Sequence, residues 1–179
     1  MPEKYERLER NLIAKGSIID YYQDVMKIPN GNTAKWDFIK HKGAAAVIAV
    51  KPDGKILMVK QYRNALERET LEIPAGGYNG TVETMEEAAK RELREETGYL
   101  AGNMEFLISI RTTVAFCNER IDIYYASNLS LGEQELDDDE YLEVTSYTID
   151  ELIQMIYDGK IQDSKTISGL MCYYNKYCK

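Results

Sequence analysis

GGYNGTVETMEEAAKRELREETGY, residues 76–99, is the most informative stretch of the chain. Its second half has a helical period. At about 100° per residue, Met85, Ala89 and Leu93 fall on one stripe with Ala88 beside it, and Glu87, Lys90 and Arg94 fall opposite. The spacing predicts a helix over residues 83–97, stopped by Gly98, a residue that enters the left-handed conformation at little cost. Glu86–Lys90 and Glu87–Arg91 are spaced as i,i+4 ion pairs on the outer face, and Glu95 can reach back to Arg91. Glu92 and Glu96 differ. They fall within the apolar stripe, with no basic residue three or four positions away. Together with Glu95 they sit near the helix C-terminus, where the macrodipole repels anions. A charged run on a helix is ordinarily a solvated face. Carboxylates clustered on the buried side at this end are costly unless something positive offsets them, and a divalent cation held by oxygen atoms does so directly.

Upstream, residues 9–28 contain apolar and β-branched stretches. The turn Pro29-Asn30-Gly31-Asn32 and a strand-like Thr33–Lys40 follow, and together they read as a small antiparallel unit. Gly43 to Val50 is a short apolar run, Asp53-Gly54 marks a hairpin turn, and Ile56–Tyr62 alternates as a strand. Thr70–Pro74 reads as another short strand. Downstream, Met104–Arg111, Arg120–Ser127 and Tyr141–Tyr147 read as strands, and residues 130–140 as a polar acidic loop. Asp150–Tyr157 and Ser164–Tyr177 read as helices separated by Asp158-Gly159. This order suggests a mixed sheet sandwiched between helices, with a β extension at the N-terminus. The sequence divides into an extension over residues 1–40 and a main domain over 41–179.

With 44% hydrophobic and 29% charged residues, the 179-residue chain has the balance of a soluble globular protein. No apolar run approaches the ~20 residues of a membrane helix. The charged N-terminus lacks the apolar core of a signal peptide, so a cytoplasmic protein is expected. Cys117, Cys172 and Cys178 show neither disulfide nor zinc spacing. His41 is the single histidine, so any metal must be held mainly by oxygen, which favours Mg²⁺ or Mn²⁺. A formal net charge of −8 is poorly suited to gripping a nucleic-acid polymer. It is compatible with a small phosphorylated ligand when a bound cation reverses the local field.

The segment around the helix resembles the Nudix box residue by residue. The pattern is glycine, five residues, glutamate, seven residues, then Arg-Glu-apolar-any-Glu-Glu-any-Gly-apolar. Here these positions are Gly77, Glu83, Arg91, Glu92, Leu93, Glu95, Glu96, Gly98 and Tyr99, the last aromatic where an aliphatic is commoner. So many specified positions at fixed spacing make a strong signal. Three further stretches resemble the ADP-ribose pyrophosphatase branch of that family: His41-Lys42-Gly43; Gln61-Tyr62-Arg63 with Leu71 through Gly77; and Asp158-Gly159-Lys160-Ile161 with Asp163 and Thr166. The resemblance spans roughly residues 35–175.

The resemblance implies an α/β/α sandwich and hydrolysis of the diphosphate bond of ADP-ribose to AMP and ribose 5-phosphate, dependent on Mg²⁺ or Mn²⁺. Glu92, Glu95, Glu96 and the Ala75 carbonyl would be metal ligands, while Glu83 and Arg91 would tie loop to helix. Arg63 would contact the diphosphate or adenosine part, Glu72 the base, and Trp36 or Phe38 would stack on adenine. Packing is an equally good reading of Trp36, and a surface salt bridge is the alternative for Arg63. The carboxylate that activates water would be Asp138 or Glu140, from the acidic loop, or Glu95. Asp137 and Asp139 read equally as solvated. Val114-Ala115 stands where the branch often has Pro-Gly, which leaves the substrate's distal group open. Glu119 is retained in that loop as a substrate contact. The branch is typically dimeric, so a homodimer is implied, with the N-terminal unit contributing to the partner's site. Two other readings compete: a pyrophosphatase for another nucleotide sugar (ADP-glucose, GDP-mannose) or a dinucleotide, and a module that senses ADP-ribose without cleaving it. The intact glutamates favour catalysis.

Overall fold

A computed structural model of the chain describes residues 4–80, 82–136 and 140–179. The chain divides into two compact units, one made of Met1–Gly43 with Arg111–Arg120 and one of Ala44–Ile110 with Ile121–Lys179. The first unit is an antiparallel sheet of β1 (Glu6–Lys15), β2 (Asp20–Lys27) and β3 (Thr33–Lys40) in that spatial order. The β1–β2 register breaks between Arg7 and Glu9 and between Leu12 and Ala14, whereas β2–β3 pairs regularly. Arg10 joins these strands. Its guanidinium donates to both carboxylate oxygens of Asp24, at 2.7 and 2.6 Å, and lies 3.8 Å from the centre of the Phe38 ring.

The second unit has two sheets. One has the order β10 (Leu142–Tyr147), β5 (Ile56–Arg63), β6 (Arg68–Glu72), paired antiparallel. The other is mixed, in the order β7 (Ala75–Gly77), β4 (Ala44–Ala49), β9 (Arg120–Leu131), β8 (Tyr99–Arg111), with β4 antiparallel to β7 and parallel to β9. The apolar run of β4 is buried on both faces, as a central strand must be. Ala45, Val47 and Ala49 point to a core shared with Ala88, Ala89 and Leu93 of α1 (Met85–Thr97). Ala46 and Ile48 point to a core shared with Leu152 of α2 (Ile149–Tyr157) and Leu170 of α3 (Ser164–Tyr177). This is the expected helix–sheet–helix sandwich, with an antiparallel N-terminal sheet. No helix among the described residues is long and apolar enough to cross a membrane.

Several boundaries differ from the sequence reading. β8 starts at Tyr99, directly after the helix terminator, and not at Met104. Gly102 and polar neighbours obscured the strand period, yet Gly102 is where the backbone of Asn128 approaches closely. The helix begins at Met85 because Thr84 caps it. The Thr84 side chain accepts from the Glu87 amide, and the Glu87 side chain accepts from the Thr84 amide. Glu87 is thereby engaged in the cap, and the Glu87–Arg91 ion pair expected from spacing is replaced by others at Arg91.

Candidate active site

Strand β7 and helix α1 lie against each other in the second unit, and their contact gathers the box glutamates. α1 ends at Gly98, whose φ of 73° is left-handed. Leu93 on the buried stripe is fully inside, and its neighbours Glu92 and Glu96 are carried in with it. Glu96 is only 2% exposed, and its Oε2 accepts the Ala75 amide at 3.0 Å. The Glu92 carboxylate lies against Gly76, where a β-carbon would fall 2.1 Å from it.

Arg91 organises the outer side. Its guanidinium donates to both oxygens of Glu83, at 3.1 and 3.0 Å, and to the Gly77 carbonyl at 2.9 Å. Glu83 in turn accepts the Asn79 amide at 2.9 Å, which ties the loop to the helix. Arg91 Nη1 also bridges Glu92 Oε1 (2.7 Å) and Glu95 Oε2 (2.8 Å). Glu92 therefore has a cation after all, one residue away in sequence, a spacing at which helix side chains do not ordinarily meet.

Arg91, with Arg94 reaching only Glu95 at 3.4 Å, does not balance this cluster. Burial, opposed by Arg91 and reinforced by Glu95 and Glu140, pushes Glu92 up to about 7. Burial, with Glu92 and Glu140, pushes Glu96 up to about 8, against the Ala75 amide and Lys165. Glu140 is thus close enough to act on both, and its Oε1 accepts from Gln61 at 3.2 Å. Asp138, Asp137 and Asp139 lie outside the described residues.

The donor set fits a hard divalent cation: buried carboxylates in excess of their positive partners, beside the backbone of Ala75 and a glycine that admits the Glu92 carboxylate. Among the described residues no three His, Cys, Asp or Glu side chains are gathered as an ion's ligands. Arg91 holds Glu92 and Glu95, while the Ala75 amide holds Glu96.

Arg63 and Glu72 form a second constellation in the same unit. Glu72, 3% exposed, accepts Arg63 Nε at 2.8 Å and Nη2 at 2.7 Å, Thr70 Oγ1 at 2.6 Å, and the Lys165 ammonium. Burial alone raises its pKa, but Arg63, Lys165 and Thr70 more than offset this and hold it at about 2. Arg63, Thr70, Glu72, Asp163 and Lys165 line a cavity of about 410 Å³ with Leu66 on its rim. Sequence reading missed Lys165. Its signal was a lysine just inside a helix whose N-cap is Asp163, in a stretch noted only for Asp163 and Thr166.

Trp36 and Glu119 belong to the first unit. Trp36 is half exposed and lines a shallow cavity of about 450 Å³ with Lys35, Asp37, Ala115 and Phe116. Glu119 accepts from Thr112 Oγ1 at 2.6 Å and lies 3.3 Å from His41 Nδ1.

The family description of the NUDIX domain matches residues 40–169. The chain belongs to the Nudix family. It is 40% identical over 166 residues to an ADP-ribose pyrophosphatase of Bacillus subtilis, covering 89% of each chain. It is 43% identical over 157 residues to a methanol dehydrogenase activator of Bacillus methanolicus, covering 87% of this chain and 84% of that one. The solved structure of an ADP compounds hydrolase superposes with a TM-score of 0.87 at 19% identity, covering 98% of this chain and 95% of that one, and shares its fold. Within this Nudix chain the box runs from β7 through α1, the two elements that bring Ala75, Glu92 and Glu96 together.

Proposed function

We propose that the protein hydrolyses ADP-ribose to AMP and ribose 5-phosphate, as a Mg²⁺-dependent homodimer in the cytoplasm. The observation that carries this is the pair of carboxylates, Glu96 buried and Glu92 mostly covered, set against the β7 backbone with too little positive charge beside them. The likeness to an ADP-ribose pyrophosphatase over most of both chains supports the substrate. Glu92, Glu96 and the Ala75 carbonyl would hold the principal ion and Glu95 a second. Such an ion, when bound, supplies positive charge to phosphate oxygens and lowers the pKa of water.

The chain's own groups do the rest. Arg63 directs its N–H groups to the diphosphate. Glu140, oriented by Gln61, accepts the proton of the attacking water. Water adds to one phosphorus, the bridging P–O bond breaks, and two monophosphates result. The first unit would serve the partner subunit's site, Trp36 by stacking on adenine and Glu119 as a substrate contact. Strand β1 supports the dimer, because Leu8, Leu12 and Ile13 stand on it about half exposed.

The test is turnover of ADP-ribose with Mg²⁺, scored as AMP formed, beside ADP-glucose and GDP-mannose. Glu96→Gln should lower kcat by roughly a hundredfold or more, with an unchanged circular dichroism spectrum. Full activity in that variant would remove the metal assignment. A preference for another nucleotide sugar would replace the substrate. Sedimentation velocity decides the dimer.

A further inference from the structure

The Arg63–Glu72 pair is closed by a third residue from the far end of the chain. Each oxygen of Glu72 is used twice: Oε1 by Arg63 Nε and Thr70, Oε2 by Arg63 Nη2 and Lys165. A carboxylate so engaged has no acceptor capacity left for a ligand. Arg63, by contrast, bonds the described residues through Nε and Nη2. Among the described residues no bond is made by its Nη1 group, and its side chain is 39% exposed at the cavity, against 4% for Glu72 and 10% for Lys165. Lys165 also donates to Asp163 at 2.9 Å, and Asp163 accepts from the amide and hydroxyl of Thr166 at the start of α3.

Charge decides what this arrangement does. Arg63 with Glu72 alone is a neutral pair, and a neutral pair attracts a phosphate weakly. Lys165 offsets the charge of Glu72 beside Arg63, and Asp163, bonded to the same ammonium, takes part of that offset back. We propose that Lys165 is a positioning residue for the diphosphate. It holds Glu72 in place from behind and neutralises it, so that the free edge of Arg63 and its charge face the ligand. This rests on the reading of Arg63 as a diphosphate contact. Lys165 itself touches no substrate.

Lys165 and Asp163 should act on binding with opposite signs, which ordinary structural support would not produce. Removing the cation should weaken binding, and removing the Asp163 charge should strengthen it. Lys165→Met should raise KM for ADP-ribose about tenfold with kcat changed by less than about twofold, Lys165→Arg should recover most of the loss, and Asp163→Asn should lower KM about threefold. Asn caps helices as well as Asp, so α3 keeps its start in that variant. The affinity of each variant for ADP, which carries the diphosphate without the distal sugar, is measured by calorimetry with Mg²⁺ present and should follow the same order. KM shifts of one sign in Lys165→Met and Asp163→Asn would overturn the proposal, as would a lowered melting temperature with KM unmoved. If Lys165→Met does not fold, the sign of the Asp163→Asn shift decides alone. If the wild type does not cleave ADP-ribose, the proposed function fails and ADP binding still decides this inference. Opposite shifts sustain it, while equal affinities or no ADP binding end it.

Discussion

Two adjacent glycines divide sterics from pattern. Gly77 is the glycine of the box, yet a β-carbon there meets nothing within 4 Å, and its carbonyl is what Arg91 uses. Gly76 is unspecified by the box, and a β-carbon there falls among the carboxylate atoms of Glu92. The end of a glutamate side chain can move, so Gly76→Ala should fold, but with Glu92 displaced. We expect its Mg²⁺ requirement, read as the half-saturating concentration for turnover, to rise by about tenfold or more, a loss of roughly one ligand's contribution. Gly77→Ala should leave it near wild type. Equal effects would mean that the close approach at Gly76 does not matter. Glu72 makes a similar point. Sequence offered it as a contact to the base, while its surroundings engage both oxygens with Arg63, Thr70 and Lys165, the last 93 residues away.

At the scale of elements, α1 is specified by its own residues. Thr84 and Glu87 close a reciprocal cap, Gly98 turns left-handed at the other end, and Ala88, Ala89 and Leu93 line the buried stripe. These are local rules, so the helix was legible to within two residues at its start. Thr84→Ala should cost about 1 kcal/mol in urea unfolding, Thr84→Asn much less. Turnover per folded molecule should not change, because the cap lies at the opposite end of α1 from Glu96. A lowered kcat at full occupancy of the folded state would show that the cap also sets the glutamates' positions. Strand β8 was less legible. Its first residues lack alternation, and the strand is dictated by the close approach of Asn128 at Gly102.

For the whole molecule, the glutamate cluster couples folding to pH and to metal. Glu92 and Glu96 titrate near 7 and 8 in the folded protein, well above the ordinary carboxylate range near 4.5. The folded state therefore holds protons that the unfolded state has released. Stability from these groups is full below about pH 4.5 and is lost as pH rises through about 7 and 8. In EDTA the melting temperature should fall between pH 5 and pH 9. Added Mg²⁺ should raise it most at the alkaline end, where no proton competes. Glu96→Gln should flatten the decline. A melting temperature that rises with pH in EDTA would contradict the excess of negative charge.

Sequence by itself determined the box, the helix that carries it, and the order of the strands and helices from β3 onward apart from β7. All of these rest on period, caps and turn residues, which act over a few positions. Tertiary structure decided which groups meet. It turned β7 so that Ala75 and Gly76 face α1, brought Glu140 within reach of Glu92 and Glu96, and set Lys165 behind Glu72. Those meetings follow from burying both faces of β4 between helices distant in the chain, a constraint that no local pattern carries.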